Sequence, residues 1–108
     1  MGVFNKRYYV YILTNKSNKI LYTGYTCNLQ RRISEHKFKV FDGFTKKYNV
    51  NKLVYYEIVK TEEDAKDRER QIKAGSRKKK VELIESITKE WNDLSNAMEI
   101  LVGKEGMI

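Results

Sequence analysis

The sequence predicts an α/β fold, a small and mainly antiparallel three-stranded sheet flanked by helices. Three observations carry this. Two β-rich segments flank a short polar turn near the N-terminus, a third apolar run follows at "KLVYYEIV", and the remaining chain switches to helical spacing with capping signals. With 108 residues, 41% of them hydrophobic and 33% charged, there is room for one domain over 1–102, with 103–108 expected as a frayed tail. The same composition, with 8 Tyr, is too apolar and aromatic for a disordered chain.

"RYYVYILTN" alternates Tyr9, Tyr11 and Leu13 against Tyr8, Val10 and Ile12, a pattern that suits a strand covered on both faces. After the turn-like "NKSNK", "KILYTGYT" repeats it, so the two form an antiparallel hairpin. "TCNLQRRISEHKF" offers Asn28 as an N-cap with Leu29, Ile33 and Val40 at helical spacing, which starts a helix near residue 29. "KVFDGFTKKYNVN" reads as a loop of about a dozen residues, a length that is often functional. "KLVYYEIV" is a third strand, central or nearly so by its unbroken apolar run.

"TEEDAKDRERQIKAG" is a helix with Thr61 at its cap, acids in its first turn, basic residues near its end and Gly75 at C′. "SRKKKVELIESI" is another, capped by Ser76, with Val81, Leu83, Ile84 and Ile87 inward. "NDLSNAMEILVG" predicts a last helix with Leu94, Ala97, Met98 and Leu101 on one face, Trp91 at its start and Gly103 at its end.

The formal net charge of +8 favours a polyanionic partner, nucleic acid first. No run of about 18 apolar residues predicts a membrane span. "MGVFNKRYYVYIL" lacks a signal peptide's apolar region and cleavage site, and Lys6 stands where myristoylation wants Ser or Thr, so the expected location is the cytoplasm. Cys27 alone excludes an internal disulfide, and one Cys with one His cannot build a Cys/His zinc site.

"LYTGYTCNLQRRISEH" carries the candidate chemistry. Arg32 and His36, four apart on a helix, project from one face, and Tyr22 sits on the strand that feeds that helix through a turn at Gly24. The plain alternative is a solvated Arg32, a partly buried His36 and a packed Tyr22. Glu69 shifts the balance. It falls on the inward stripe with Ala65 and Ile72, where a carboxylate needs a cation, either an arginine or a metal.

"YYVYIL", "LYTGYT", then an arginine and a histidine four apart, followed by "FTKKYNVNKLVYYE", "DAKDRERQIKAGSRKKKVELI" and "EWNDL", together resemble the GIY-YIG nuclease family, its small stand-alone bacterial members above all. The likeness runs from about Tyr8 to Leu94. It implies Tyr11, Tyr22, Arg32, His36 and Glu69 as catalytic, with Glu69 the ligand of one Mg²⁺ or Mn²⁺. Tyr25, Lys46 and Lys47 would face phosphates, and Arg77, Lys78, Lys79 and Lys80 are further candidates for backbone contacts. Two positions depart from the family pattern: Tyr9 replaces the first motif's glycine, and Thr88-Lys89 replaces the Asn-Pro found before "EW" in similar proteins.

The implied activity is metal-dependent endonucleolytic hydrolysis of DNA, structure-directed or without sequence preference, as in repair or recombination, with structured RNA a further possible substrate. In that chemistry Arg32 grips the phosphate, Tyr11 or Tyr22, its pKa lowered by Arg32 and the metal, deprotonates the water, and His36 hydrogen-bonds or relays. The alternative is a nucleic-acid-binding module of the same fold with weak or no turnover. No obligate protein partner is expected.

Overall fold

The computed structural model describes residues 6–38 and 43–96. Its elements run β1 (Tyr8–Thr14), β2 (Leu21–Thr26), α1 (Leu29–Lys37), α2 (Phe44–Lys47), β3 (Lys52–Val59), α3 (Glu62–Ala74) and α4 (Arg77–Ile87). The three strands form one sheet in the order β2-β1-β3, and both pairings are antiparallel. The predicted class is therefore the one observed.

The strand expected to be central is not. β1 holds the middle, with every residue from Val10 to Thr14 buried, and β3 is an edge strand. The unbroken apolar run of β3 has another cause. The pairing register shifts between Ile12 and Leu13, so Leu53 joins one core layer while Val54 and Tyr55 both join the other.

Each face of the sheet has its own layer. Val10 and Ile12 pack with Val54, Tyr55, Ala65, Ile72 and Ile84 beneath α3 and α4. Tyr11 and Leu13 pack with Leu29, Ile33, Val50 and Leu53 beneath α1. Fully buried side chains such as Ile12, Leu53 and Ile84 each stabilise by about 1.5–3 kcal/mol relative to exposure.

Local capping follows the sequence. The Asn28 side chain accepts from the Arg31 N–H, Thr61 from Asp64 and Ser76 from Lys79. Gly75 departs from expectation in being the cap residue itself, with an extended backbone at φ −75 and ψ 162. The expected loop contains one helical turn, α2, stopped by Asn49 at φ +56 and anchored by buried Val50, whose N–H donates to Thr45 O at 2.8 Å. After α4 the chain returns to β3, where the Leu94 N–H donates to Leu53 O at 2.8 Å. Val40, most of the expected last helix (97–102) and the expected tail (103–108) lie outside the described residues.

Candidate active site

Tyr11 on β1, Tyr22 on β2 and His36 on α1 converge. Their ring centroids are 6.5 Å apart for Tyr11–Tyr22, 6.2 Å for Tyr11–His36 and 6.0 Å for Tyr22–His36. Tyr11 and Tyr22 line a cleft of about 500 Å³ that Arg32 and Glu69 also border. Four elements thus bring four of the five expected catalytic residues to one cavity, with His36 behind the tyrosines.

Gly24 is corrected. It lies inside β2 rather than at a turn, directly opposite Tyr11 in the strand pairing. A side chain there would meet the Tyr11 ring, with a Cβ at 2.6 Å from Oη and 2.8 Å from Cζ. Glycine is needed because the phenol lies flat across the neighbouring strand, not because the backbone bends.

Arg32 leaves its Nε buried and without a hydrogen-bond partner among the described residues, and Glu35 Oε1 is 3.6 Å away as an ion pair. His36 is fixed by Thr45, whose Oγ1 lies 3.1 Å from Nδ1, while Nε2 is buried with no hydrogen-bond partner among the described residues. The histidine therefore bonds neither tyrosine here. Burial, and then the nearby Arg32 charge, push its pKa below the usual histidine value against the opposing pull of Glu35, so it is neutral at pH 7.

In the protein alone, burial raises the Tyr11 pKa far above the phenol norm, Tyr22, Glu69 and Glu35 add to the rise, and Arg32 pulls it down as expected but does not prevail. The phenol of the protein by itself holds its proton.

Glu69 is mostly covered, with Lys73 Nζ at 3.5 Å from Oε2. Tyr25 lines the same cleft and donates its hydroxyl to Glu62 Oε2 at 3.1 Å. Lys46 and Lys47 lie on α2, beside Thr45. The basic start of α4 faces elsewhere: Arg77 donates to Asn18 O and Lys19 O, both at 2.9 Å, clamping the β1–β2 turn, and Lys80 Nζ donates to Gly75 O at 2.8 Å. Lys78 and Lys79 are exposed on the same helix. Thr88 is buried at the end of α4, its hydroxyl accepting from the Asn92 N–H at 2.8 Å, and takes no part in lining the cleft.

Sequence reasoning missed three supports. Lys6 and Arg31 add positive charge to the cleft rim. Thr45 orients the histidine. Asp93 is the third: its Oδ2 takes the Lys37 ammonium at 2.7 Å, and its Oδ1 accepts from the Leu53 and Ser95 N–H groups at 3.2 and 3.0 Å. That carboxylate ties the last turn of α1, which carries His36, to the start of β3. Nothing local marks it, since Lys37 and Asp93 are far apart in sequence.

A sheet-borne tyrosine pair, a helix arginine and histidine, and an acidic residue on a further helix are the features by which the sequence resembles a nuclease family. The chain belongs to the GIY-YIG family: its residues 7–82 match the GIY-YIG catalytic domain. Its relatives carry the name UPF0213 protein. That of Staphylococcus haemolyticus is 40% identical over 79 residues, spanning 73% of this chain and 95% of that one, and that of Haloquadratum walsbyi is 38% identical over 84 residues, spanning 78% and 93%. The solution NMR structure of a UPF0213 protein from Bacillus halodurans, 31% identical, covers 81% of this chain and 92% of its own with a TM-score of 0.51. Among the described residues no helix is long and apolar enough to cross a membrane.

Proposed function

We propose that this protein is a metal-dependent endonuclease that hydrolyses phosphodiester bonds in DNA, structure-directed or without sequence preference, a reaction of the kind used in repair or recombination. The observation that carries the reading is the convergence of Tyr11, Tyr22, Arg32 and Glu69 on one cleft with His36 against both tyrosines.

The residues divide the work by their chemistry. The Arg32 guanidinium fork suits bidentate contact with the scissile phosphate, which a lysine could not reproduce. Tyr11, protonated, would donate a hydrogen bond from Oη and orient an oxygen in the cleft, which leaves Tyr22 the better candidate to take the proton of the attacking water. His36 is neutral, and in the tautomer whose Nδ1–H donates to Thr45 its Nε2 would present a lone pair for a relayed proton.

The donor set fits a hydrated Mg²⁺ or Mn²⁺. Glu69 supplies a carboxylate beside phenol oxygens, all hard ligands, and no three His, Cys, Asp or Glu side chains among the described residues cluster into a protein-only cage. Glu69 would hold the ion, and when bound it would neutralise charge at the leaving oxygen.

The test is cleavage of supercoiled plasmid, single-stranded DNA, a four-way junction and structured RNA with Mg²⁺ or Mn²⁺, comparing the wild type with Glu69→Ala. Cleavage that disappears in the variant while binding persists is expected. Tight, salt-sensitive binding with no cleavage by the wild type would replace this reading with that of a binding module, which the loss of the family's Asn at Thr88 favours.

A further inference from the structure

Five large hydrophobic side chains are exposed among the described residues, and the three aromatic ones, Phe38, Phe44 and Tyr48, all fall in the segment joining α1 to β3. Phe44 and Tyr48 form a step on α2 and its cap, their ring centroids 4.9 Å apart. The step continues into the catalytic group, because Phe44 lies near-parallel to Tyr22, at 24° and 6.3 Å between centroids. Thr45, between them, holds His36. A half-exposed phenylalanine beside a buried core forfeits apolar burial.

Two cations, Lys46 and Lys47, lie within the step, and Lys47 Nζ sits 5.4 Å from the centre of the Tyr48 ring. Exposed aromatic faces set among cations form the surface on which unpaired bases stack while their phosphates are neutralised. A folded duplex hides its base faces and would gain nothing from Phe44 or Tyr48.

We infer that Phe44 and Tyr48 form a stacking platform for an unpaired nucleobase next to the phosphate held at Arg32, so that the preferred DNA is single-stranded or frayed beside the scissile bond. The inference rests on the nuclease reading for its ligand class and goes beyond it in naming bases, rather than phosphates, as what α2 recognises. Lys46 and Lys47 then serve the flanking phosphates of the same strand.

The experiment is equilibrium binding of the full chain, in EDTA so that no strand is cut, to fluorescein-labelled single-stranded DNA, to duplex of the same sequence, and to a single strand of abasic residues. Stacking is worth about 1–3 kcal/mol per base, so Phe44→Ala and Tyr48→Ala should each weaken single-strand binding by about 5- to 150-fold and duplex binding by less than about twofold. Phe44→Trp should retain wild-type affinity, which separates stacking from loss of the α2 turn, and the abasic strand should not distinguish the variants from wild type. Equal losses on single strand and duplex, or an undiminished effect on the abasic strand, would overturn the platform while leaving the nuclease reading intact. So would unchanged affinity in both alanine variants. No binding of any nucleic acid by the wild type would overturn both.

Discussion

Gly24→Ala makes the sharpest test of the site's construction. Ordinary contact for a new Cβ begins at 3.4 Å, whereas the Tyr11 Oη stands at 2.6 Å, so roughly 0.8 Å must be found. A flexible side chain would swing away, but the Tyr11 ring is 2% exposed and is flanked by Tyr22 and His36. The clash must then be relieved by moving β2 or tilting the phenol. Overpacking of this kind costs about 1–3 kcal/mol, which for a domain of this size lowers Tm by about 4 °C or more. Displacing a catalytic oxygen by about 1 Å costs on the order of 100-fold in rate. Thermal melts and plasmid-nicking rates measure the two effects separately. Gly75→Ala is the control: its Cβ would approach Ile72 O at only 3.4 Å on an unstrained backbone, so Tm should hold or rise slightly. A Gly24→Ala protein that melts within a degree of wild type and nicks within about twofold of it would refute the argument that Tyr11 requires glycine opposite.

Asp93 should set the acid limb of stability. Burial resists its ionisation, but the Lys37 ammonium and the Ser95 donors prevail and hold its pKa below the usual 3.8. Its contribution is present above that value and is lost as pH falls through the lower folded pKa. Asp93→Asn should cost about 1–3 kcal/mol at pH 7 and flatten the fall of Tm below about pH 4; Tm–pH curves that run parallel in the two proteins would contradict this. His36, whose pKa is lowered, should titrate by NMR with a midpoint under the ordinary 6.5. The unfolded chain binds more protons just below that pH, so this residue makes stability decline as pH drops from 6.5. His36→Ala should reduce turnover more than nucleic-acid affinity, and equal losses in both would remove the histidine from the chemistry.

What the sequence made legible is what is local. The caps at Asn28, Thr61 and Ser76 depend on residues three apart, and the inward place of Glu69 follows from its helical spacing with Ala65 and Ile72. Strand order was not legible. An apolar run of the β3 kind arises equally from a central strand and from an edge strand whose register slips by one residue under helices. Gly24 was misplaced for a related reason: a glycine between a strand and a helix reads as a turn until the register sets Tyr11 across from it. The roles of Arg77 and Asp93 lie in pairings with residues far away in the chain, Asn18 and Lys19 for one and Lys37 for the other, and no window of sequence carries those.

The family match stops at residue 82, yet the tie made by Asp93 lies beyond it. A fragment trimmed to 7–82 would lose Ile84 from the sheet's covered face, leave the Lys37 ammonium without its carboxylate and leave the Leu53 N–H without its acceptor. Anyone transplanting this unit into a fusion protein, or reducing it to a minimal module, has to carry the chain through Ser95. Boundaries drawn at the ends of the matched segment would sever the brace that ties the histidine-bearing helix to β3.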